Sequence, residues 1–413
     1  MSTALDYGSY PLERPLSWQD TRDVFPLSSR QLQGYTYVDS SNRKYRKPPV
    51  HFSANITSID GDCSKTTCYP GSTFAGYVQL NVEYPLAAQY LKLLFRATEH
   101  IYENNNRKVR VRLFAVRTVL WGSPNVTGSQ WPVVEPGQHR FPFLCELPLV
   151  NYPPTFRHHL ASCEFEILAT LERPGIRPFQ TIPVDIRYQP LVLTTSLKIP
   201  PAYQEEVNIS NTKIIMTLPR GISYNLLDAN SRGCLIDVKL TFPDGHPSIS
   251  NMEASLRRQV HVSCRDYQQT DSMTMTHVEQ SAFRTHEKSY YIKIPIPTEN
   301  NPLNTPAIQR NFSVLGMTTS LVGHSRYTQV TYRLVITARI RHGFLFHKRT
   351  LFYTVIQMGT LSPGAQVPSS VFSCSSVPSN ATMSIKPRFL YVPGTQEQLP
   401  AYQDEPSPPQ YSL

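Results

Sequence analysis

The residues with the clearest chemistry lie near the end of the chain, in the segment Pro408-Pro409-Gln410-Tyr411. Two adjacent prolines pre-form a polyproline II segment, so little conformational entropy is lost when an aromatic-lined groove closes on it. A tyrosine that follows the prolines fills a neighbouring pocket of that groove. We therefore predict that Pro408, Pro409 and Tyr411 form a ligand for WW domains, the small modules that bind such segments.

The pattern recurs twice, as Pro200-Pro201-Ala202-Tyr203 and in the degenerate form Leu399-Pro400-Ala401-Tyr402. Residue frequencies predict only about 0.2 chance occurrences of Pro-Pro-x-Tyr in the chain. Tyr402 and Tyr411 are spaced so that two WW domains of one partner can bind together and gain affinity through effective concentration. For the earlier copy two interpretations stay open, because an exposed Tyr203 would bind a WW groove whereas a proline pair can also simply end a strand.

A search for catalytic or metal-binding constellations gives no candidate. Cys63 and Cys68 have no second Cys or His pair at zinc spacing, and His158-His159 is interpreted as part of a turn and core. The sequence also lacks a G-x-S-x-G elbow, a phosphate-cradling glycine loop and an H-E-x-x-H motif. We therefore predict that the protein is not an enzyme and uses no cofactor or metal.

The net charge of +10 favours acidic partners, which include anionic lipid, acidic peptide segments and nucleic acid. Nucleic acid is the weakest of these interpretations, because the basic residues are scattered without the aromatic stacking pattern of a known module. Two groups of cations share strand faces: Lys108, Arg110 and Arg112, and later Arg333, Arg339 and Arg341. Each group is a candidate site for acidic or phosphorylated tails or for anionic lipid, and the alternative is an ordinary solvated sheet face.

Strands, rather than helices, are expected to position these residues. Proline is twice as frequent as glycine, at 36 against 18, which argues against long helices. Apolar and polar residues alternate with period two, the pattern of strands with one buried face. The segments are Gly76 to Tyr84, Arg107 to Leu120 with Val109, Val111, Leu113 and Ala115 inward, Glu164 to Leu171, Ile182 to Tyr188, Ile214 to Leu218, Leu235 to Phe242, Tyr290 to Ile296, and a hairpin of Val330 to Ile340 with Leu351 to Met358.

Short turn-rich connections between these strands predict an all-β fold of two consecutive antiparallel β-sandwiches. We predict a flexible N-terminal extension at 1–47, a first sandwich at 48–190, a hinge at 191–210, a second sandwich at 211–361 and a disordered tail at 362–413. No apolar stretch is long enough to cross a bilayer, and the first residues do not form a secretory signal. The seven cysteines are expected to be reduced thiols.

The order of several local patterns resembles the arrestin superfamily, and within it the α-arrestins, or arrestin-related trafficking adaptors. Tyr69 to Val78 is similar to the family's proline-glycine turn leading into a strand that begins at a glycine. Arg140-Phe141-Pro142-Phe143, with Leu147-Pro148 and Tyr152 to Phe156, resembles the end of its first sandwich. The hairpin ending at Met358 is similar to the close of its second. The segment from Leu218 to Tyr224 departs from the family's usual proline-glycine-acidic turn.

The resemblance implies an adaptor that binds cargo without chemistry of its own. α-Arrestins use Pro-Pro-x-Tyr motifs to bring HECT-type ubiquitin ligases, which carry tandem WW domains, to membrane transporters or receptors whose ubiquitination and endocytosis follow. The protein is then expected in the cytoplasm, peripherally at the plasma membrane or endosomes, with Lys386 as a candidate for its own ubiquitination. The alternative is an arrestin-like signalling scaffold, for instance in a pH-sensing receptor pathway, in which ligase recruitment is secondary.

Overall fold

The fold of the chain is given by a computed structural model. It describes residues 50–103, 108–124, 132–173, 176–209, 212–225, 235–243, 249–264, 267–281, 288–296, 325, 327–342, 345–367, 371–373 and 385–390. Within these ranges every regular element is a β-strand, which confirms the all-β prediction.

The first sandwich consists of two antiparallel sheets with short accessory strands. One sheet has the strand order β1-β3-β8, and the other has the order β10-β11-β5-β6 with β12 and β13 also paired to β11. The strands are β1 Val50–Ile59, β2 Thr67–Cys68, β3 Thr73–Val82, β4 Leu86–Ala87, β5 Tyr90–Tyr102, β6 Lys108–Gly122, β7 Val133–Val134, β8 Gly137–Glu146, β9 Val150–Asn151, β10 Phe156–Arg157, β11 Ala161–Arg173, β12 Ile176–Gln180, β13 Val184–Asp185 and β14 Arg187–Tyr188.

Aromatic side chains fill the core between these two sheets. Phe95 contacts Phe74 edge-to-face with ring centroids 5.2 Å apart, and it contacts Phe114 at 5.0 Å. Phe165 stacks on Tyr188 at 4.8 Å. Each such pair adds about 1 kcal/mol beyond the area it buries. The inward face predicted for Glu164 to Leu171 is confirmed, since its alternate apolar residues, Phe165, Ile167, Ala169 and Leu171, are all buried.

Three of the predicted strands need correction. The strand predicted from Ile182 to Tyr188 is divided into β13, which pairs with β11, and β14, which pairs with β2. The strand predicted from Gly76 to Tyr84 runs instead from Thr73 to Val82, and Tyr84 is 73% exposed. In β6 the inward register changes at a bulge, because Phe114 stands opposite Ala97 while Arg112 stands opposite Thr98. The bulge shifts the alternation by one residue. Phe114 therefore enters the core where Ala115 was predicted to do so.

The second sandwich packs a four-stranded sheet, β15-β16-β18-β21, against a five-stranded sheet, β17-β23-β22-β19-β20. Its strands are β15 Tyr203–Ile209, β16 Thr212–Leu218, β17 Ser223–Asn225, β18 Leu235–Thr241, β19 Ile249–Cys264, β20 Tyr267–Ser281, β21 Ser289–Pro295, β22 Thr328–His342 and β23 Leu345–Gly359. The predicted late hairpin is β22 and β23. The long hairpin of β19 and β20 was not predicted, because β20 is mostly Ser, Thr, Gln and Asp and lacks an apolar face.

The segments predicted as hinge and tail contain strands. The predicted hinge at 191–210 is shorter than expected, because β15 begins at Tyr203 and pairs with β16 along its whole length. Two short strands of the predicted tail pair with the first sandwich: β24 Phe372–Ser373 with β9, and β25 Arg388–Leu390 with the edge of β8. The chain therefore returns to the first sandwich after completing the second.

Candidate partner-binding surfaces

The tail motifs begin shortly after the last described strand. Leu399, Pro400, Tyr402, Pro408, Pro409 and Tyr411 all lie outside the described residues. Tyr402 is twelve residues beyond Leu390, so an extended chain keeps it within about 40 Å of the β8 edge. On the same basis Tyr411 lies within about 70 Å. The docked strand β25 thus fixes where the motifs are attached.

Three types of contact hold β25 on β8. Antiparallel pairing places Phe389 opposite Cys145 and Leu390 opposite Leu144. The Phe389 ring meets Phe143 edge-to-face, with centroids 6.5 Å apart. Arg388 Nε donates to Glu146 Oε2 at 2.6 Å, although both side chains are partly exposed, so this ion pair contributes well under about 1 kcal/mol. The apolar contact and the strand pairing therefore dominate. Lys386, the ubiquitination candidate, is exposed beside this strand.

The earlier proline motif is split between an exposed turn and a strand. Pro201 is exposed and Pro200 is half-buried, while Tyr203 opens β15 and stands opposite Leu218. The Tyr203 ring packs against the core, and its hydroxyl donates to Glu205 Oε2 at 3.3 Å. Strand pairing holds this tyrosine in extended β geometry. A WW groove could take Tyr203 only if the start of β15 separated from β16.

The first group of cations lies on β6, the last strand of its sheet. Arg110 and Arg112 are exposed, and they stand opposite His100 and Thr98 of β5. The side chain of Lys108 lies outside the described residues. Two arginines two residues apart on one strand project from the same face, which suits a bidentate contact with a phosphate or carboxylate group.

The second group of cations does not form one cluster. Arg333 is half-buried: its guanidinium lies 4.5 Å from the centroid of the Tyr353 ring, and its Nε donates to Gln259 at 2.9 Å. Arg339 and Arg341 are exposed near the end of β22. Six residues of extended strand separate Arg333 from Arg339, a distance of about 20 Å. Arg333 thus belongs to the sheet surface, and the other two belong to the hairpin end.

A polar interface between the two sandwiches was not predicted from the sequence. Glu99, at the end of β5, accepts hydrogen bonds from Ser325 Oγ at 2.6 Å and Thr328 Oγ1 at 2.7 Å. Tyr267 Oη donates to the carbonyl oxygen of Tyr102 at 3.1 Å. Burial raises the pKa of Glu99, and the two hydroxyl donors oppose that shift. These contacts explain why the end of β5 is buried on both faces.

His158 has a hydrogen-bond partner at each ring nitrogen in this interface. Its Nε2 lies 3.0 Å from Asp271 Oδ2 of the second sandwich, while its Nδ1 accepts the backbone N–H of Leu160 at 3.2 Å. Burial lowers the pKa of His158 to about 4, and the neighbouring His159 and Arg258 act in the same direction. The imidazole is therefore neutral at pH 7, with its proton on Nε2. The sequence predicted His158 to be part of a turn and core. The structure adds that it has a partner in the second sandwich, Asp271.

His158, His159 and Asp271 also lie close enough to suggest a metal site, since one ligand atom from each falls within 4.8 Å of the others. A metal on His158 Nε2 would require the proton to move to Nδ1. That nitrogen faces the Leu160 N–H, and two donors would then oppose each other. The hydrogen-bonding pattern fits a link between sandwiches better than it fits metal coordination.

The five cysteines in the described part of the chain are not joined by disulfides. Cys63 is exposed, whereas Cys68, Cys145, Cys163 and Cys264 are buried. Burial raises the pKa of Cys68 to about 12, so its thiol is unreactive at neutral pH.

Residues 57–187 match the family model described as Arrestin (or S-antigen), N-terminal domain. The matched range covers nearly the whole first sandwich, from within β1 to β14. A comparison with curated proteins found no match. In the part of the chain that the structure describes, no helix is long and apolar enough to cross a bilayer.

Proposed function

The match to an arrestin N-terminal domain supports membership of the arrestin family, and from this premise we propose that the chain is a ubiquitin-ligase adaptor. An arrestin domain is an adaptor or scaffold fold without catalytic chemistry of its own. In this proposal the tail motifs bind the WW domains of a HECT-type ligase, and the sandwiches bind the cytosolic segments of membrane transporters or receptors. The ligase then ubiquitinates the cargo, and endocytosis follows.

The observation that carries the proposal is the tandem of tyrosine motifs ending at Tyr402 and Tyr411, nine residues apart. Each motif supplies proline immediately before a short spacer and a tyrosine, the arrangement that fills a WW groove. The tandem suits a partner with two adjacent WW domains, because the second binding event becomes intramolecular. Attachment of the tail through β25 supports the role further, since the motifs stay within reach of the first sandwich.

A pulldown with purified tandem WW domains tests the proposal. Tyr402→Ala with Tyr411→Ala should abolish binding by the full chain, and each single change should weaken binding at least tenfold through lost avidity. Tyr391→Ala is the matched control, because Tyr391 lies in the same segment outside either motif. If the double variant keeps full WW binding and cargo turnover, the chain is better explained as a signalling scaffold in which ligase recruitment is secondary.

For cargo recognition we propose the exposed face of β6. Arg110 and Arg112 offer two adjacent guanidinium groups to an acidic or phosphorylated cytosolic tail. Replacing both with glutamate should reduce cargo binding and reverse its salt dependence, while WW binding stays unchanged. If cargo binding persists in this variant, recognition lies elsewhere on the sandwiches.

The proposed location is the cytoplasm, with peripheral attachment at the plasma membrane or endosomes where such cargo is found. Imaging of the tagged full chain, before and after cargo is induced to internalise, tests this location. A distribution that never overlaps with the cargo would contradict it.

A further inference from the structure

Two segments of the chain cross between the sandwiches. The first crossing, residues 189–202, leads from β14 to β15, and the second begins after β23 and leads back to β24, with residues 360–367 as its first described part. A single crossing would let the sandwiches turn about a few backbone bonds, which is the default expectation for linked domains. Two crossings that bond to each other restrict that turning.

Hydrogen bonds join the two crossings at Val192 and Thr360. The Val192 carbonyl oxygen accepts the N–H groups of Thr360 at 3.0 Å and of Leu361 at 3.2 Å. The Thr360 hydroxyl accepts the Val192 N–H at 2.8 Å and donates to the Pro190 carbonyl oxygen at 2.8 Å. Val192 and Thr360 are both buried, so breaking these bonds is costly unless the separated groups find new partners.

Glycine allows the crossings to approach each other this closely. A Cβ on Gly359 would lie 2.6 Å from the Val192 carbonyl oxygen. Gly364 has a φ of +72°, and its N–H donates to the Thr195 carbonyl oxygen at 3.1 Å. A Cβ on Gly364 would lie 2.6 Å from Lys198 Cγ. The backbones of the two crossings therefore contact each other at two places, where a side chain would keep them apart.

Each side of the Val192–Thr360 contact is fixed to a different sandwich. Leu191, next to Val192, exchanges two hydrogen bonds with the side chain of Asn151 in β9, at 2.8 Å and 3.0 Å. Thr360 directly follows Gly359, the last residue of β23. The contact thus joins a residue held by the first sandwich to a residue held by the second, with almost no slack on either side.

We propose that Val192 and Thr360 form a pivot that fixes the relative orientation of the two sandwiches, and that the Thr360 hydroxyl locks this pivot. The proposal rests on the fold and does not depend on ligase recruitment. The sandwiches can change their orientation at this point only when the hydroxyl gives up its two bonds to the first crossing. The segment predicted as a hinge therefore begins as a fixed joint.

Distance measurements between the sandwiches test the pivot. Tyr84 of the first sandwich is 73% exposed and Tyr291 of the second is 64% exposed, so a non-canonical amino acid at each position can carry a spin label. In electron–electron double resonance of the full chain, the parent should give one narrow distribution of label distances. Thr360→Val, which is similar in shape but lacks the hydroxyl, should broaden that distribution about twofold.

Hydrogen exchange checks that the variant acts at the pivot. In Thr360→Val the Val192 amide should exchange at least about tenfold faster, because its acceptor is gone. The amides of β5 and β22, in the two cores, should keep the rates of the parent. Thr360→Ser retains the hydroxyl and should behave as the parent in both measurements. Thr195→Val is the matched control, since that hydroxyl accepts the N–H of Leu197 within the same crossing.

Several results would overturn the pivot. It is wrong if the parent already shows a broad distribution of distances, or if Thr360→Val keeps the parent's distribution or the parent's exchange rate at Val192. Equal broadening in Thr195→Val would show that any change in the crossing has this effect. Faster exchange throughout β5 and β22 in Thr360→Val would show that the hydroxyl supports the sandwiches themselves and not their orientation.

Discussion

Protonation of His158 should weaken the fold in a defined pH range. The unfolded histidine has a pKa of 6.5, and burial lowers the folded value to about 4. Between these values the unfolded chain binds a proton that the folded chain does not, so acid favours unfolding. The contribution of His158 to the free energy of unfolding is therefore fully present above about pH 6.5 and is lost as the pH falls toward 4. Below about pH 4 this residue causes no further change.

The magnitude follows from the two pKa values. Linkage between them predicts a loss of about 2 kcal/mol in the free energy of unfolding when the pH falls from about 7.5 to about 5. Burial, which penalises the charged imidazolium, is the main cause, and the neighbouring His159 and Arg258 add to it. A protonated Nδ1 also cannot accept the Leu160 N–H, although the new charge gains some attraction to Asp271. The loss should appear in denaturant unfolding curves, and the Leu160 amide should exchange faster at the lower pH.

A variant without the titrating group isolates this effect. In His158→Gln, the free energy of unfolding should lose about 2 kcal/mol less than in the parent between about pH 7.5 and about pH 5, because an amide does not titrate in this range. The control is His139→Gln, at a histidine whose ring contacts the carbonyl oxygen of Glu135 away from the interface. The reasoning is refuted if the parent and His158→Gln lose stability in parallel, or if His139→Gln flattens the curve equally.

Three further changes have expected outcomes. Gly76→Ala should lower the free energy of unfolding by about 3 kcal/mol, because its Cβ would lie 2.2 Å from the Asn55 carbonyl oxygen; Gly61→Ala, where space is open, should cost less in the same denaturation assay. Tyr203→Ala should leave WW binding intact while destabilising β15, and a loss of WW binding would show that the hinge motif is used after all. Alkylation followed by peptide mapping should modify Cys63 rapidly and Cys68 only after unfolding.

The strands that could be predicted are those whose alternation is strong. β11 and β22 each carry a regular apolar face, and both were found where expected. Alternation gave the wrong inward residue in β6, where a bulge at Leu113 turns Phe114 rather than Ala115 toward the core. A single inserted residue of this kind leaves no signature in composition. It also failed for β20, whose polar residues pair by backbone hydrogen bonds that any sequence can make.

The interface between sandwiches could not be predicted at all. Its contacts join residues far apart in sequence, such as Glu99 with Thr328 and His158 with Asp271. Single polar residues of these types are common, and only the three-dimensional arrangement gives them partners. The motifs ending at Tyr402 and Tyr411 are the opposite case, because a polyproline II ligand is encoded in adjacent residues and needs no fold to be recognised.

Docking of β25 should affect ubiquitination without affecting ligase binding. While β25 holds the tail, Tyr402 lies twelve residues from its attachment point at Leu390; once released back to Ser373, it lies twenty-nine residues away. The effective concentration of the bound ligase near the cargo falls with roughly the −3/2 power of tether length, so release of β25 predicts about a fourfold decrease in that concentration.

Phe389→Ala removes the contact with Phe143 and should release the strand. The expected result is unchanged WW pulldown with slower cargo ubiquitination. Arg388→Gln, which removes only an exposed ion pair, should behave nearly as the parent. Equal ubiquitination rates in Phe389→Ala and the parent, despite faster amide exchange in β8, would show that tail attachment does not set the ligase's reach.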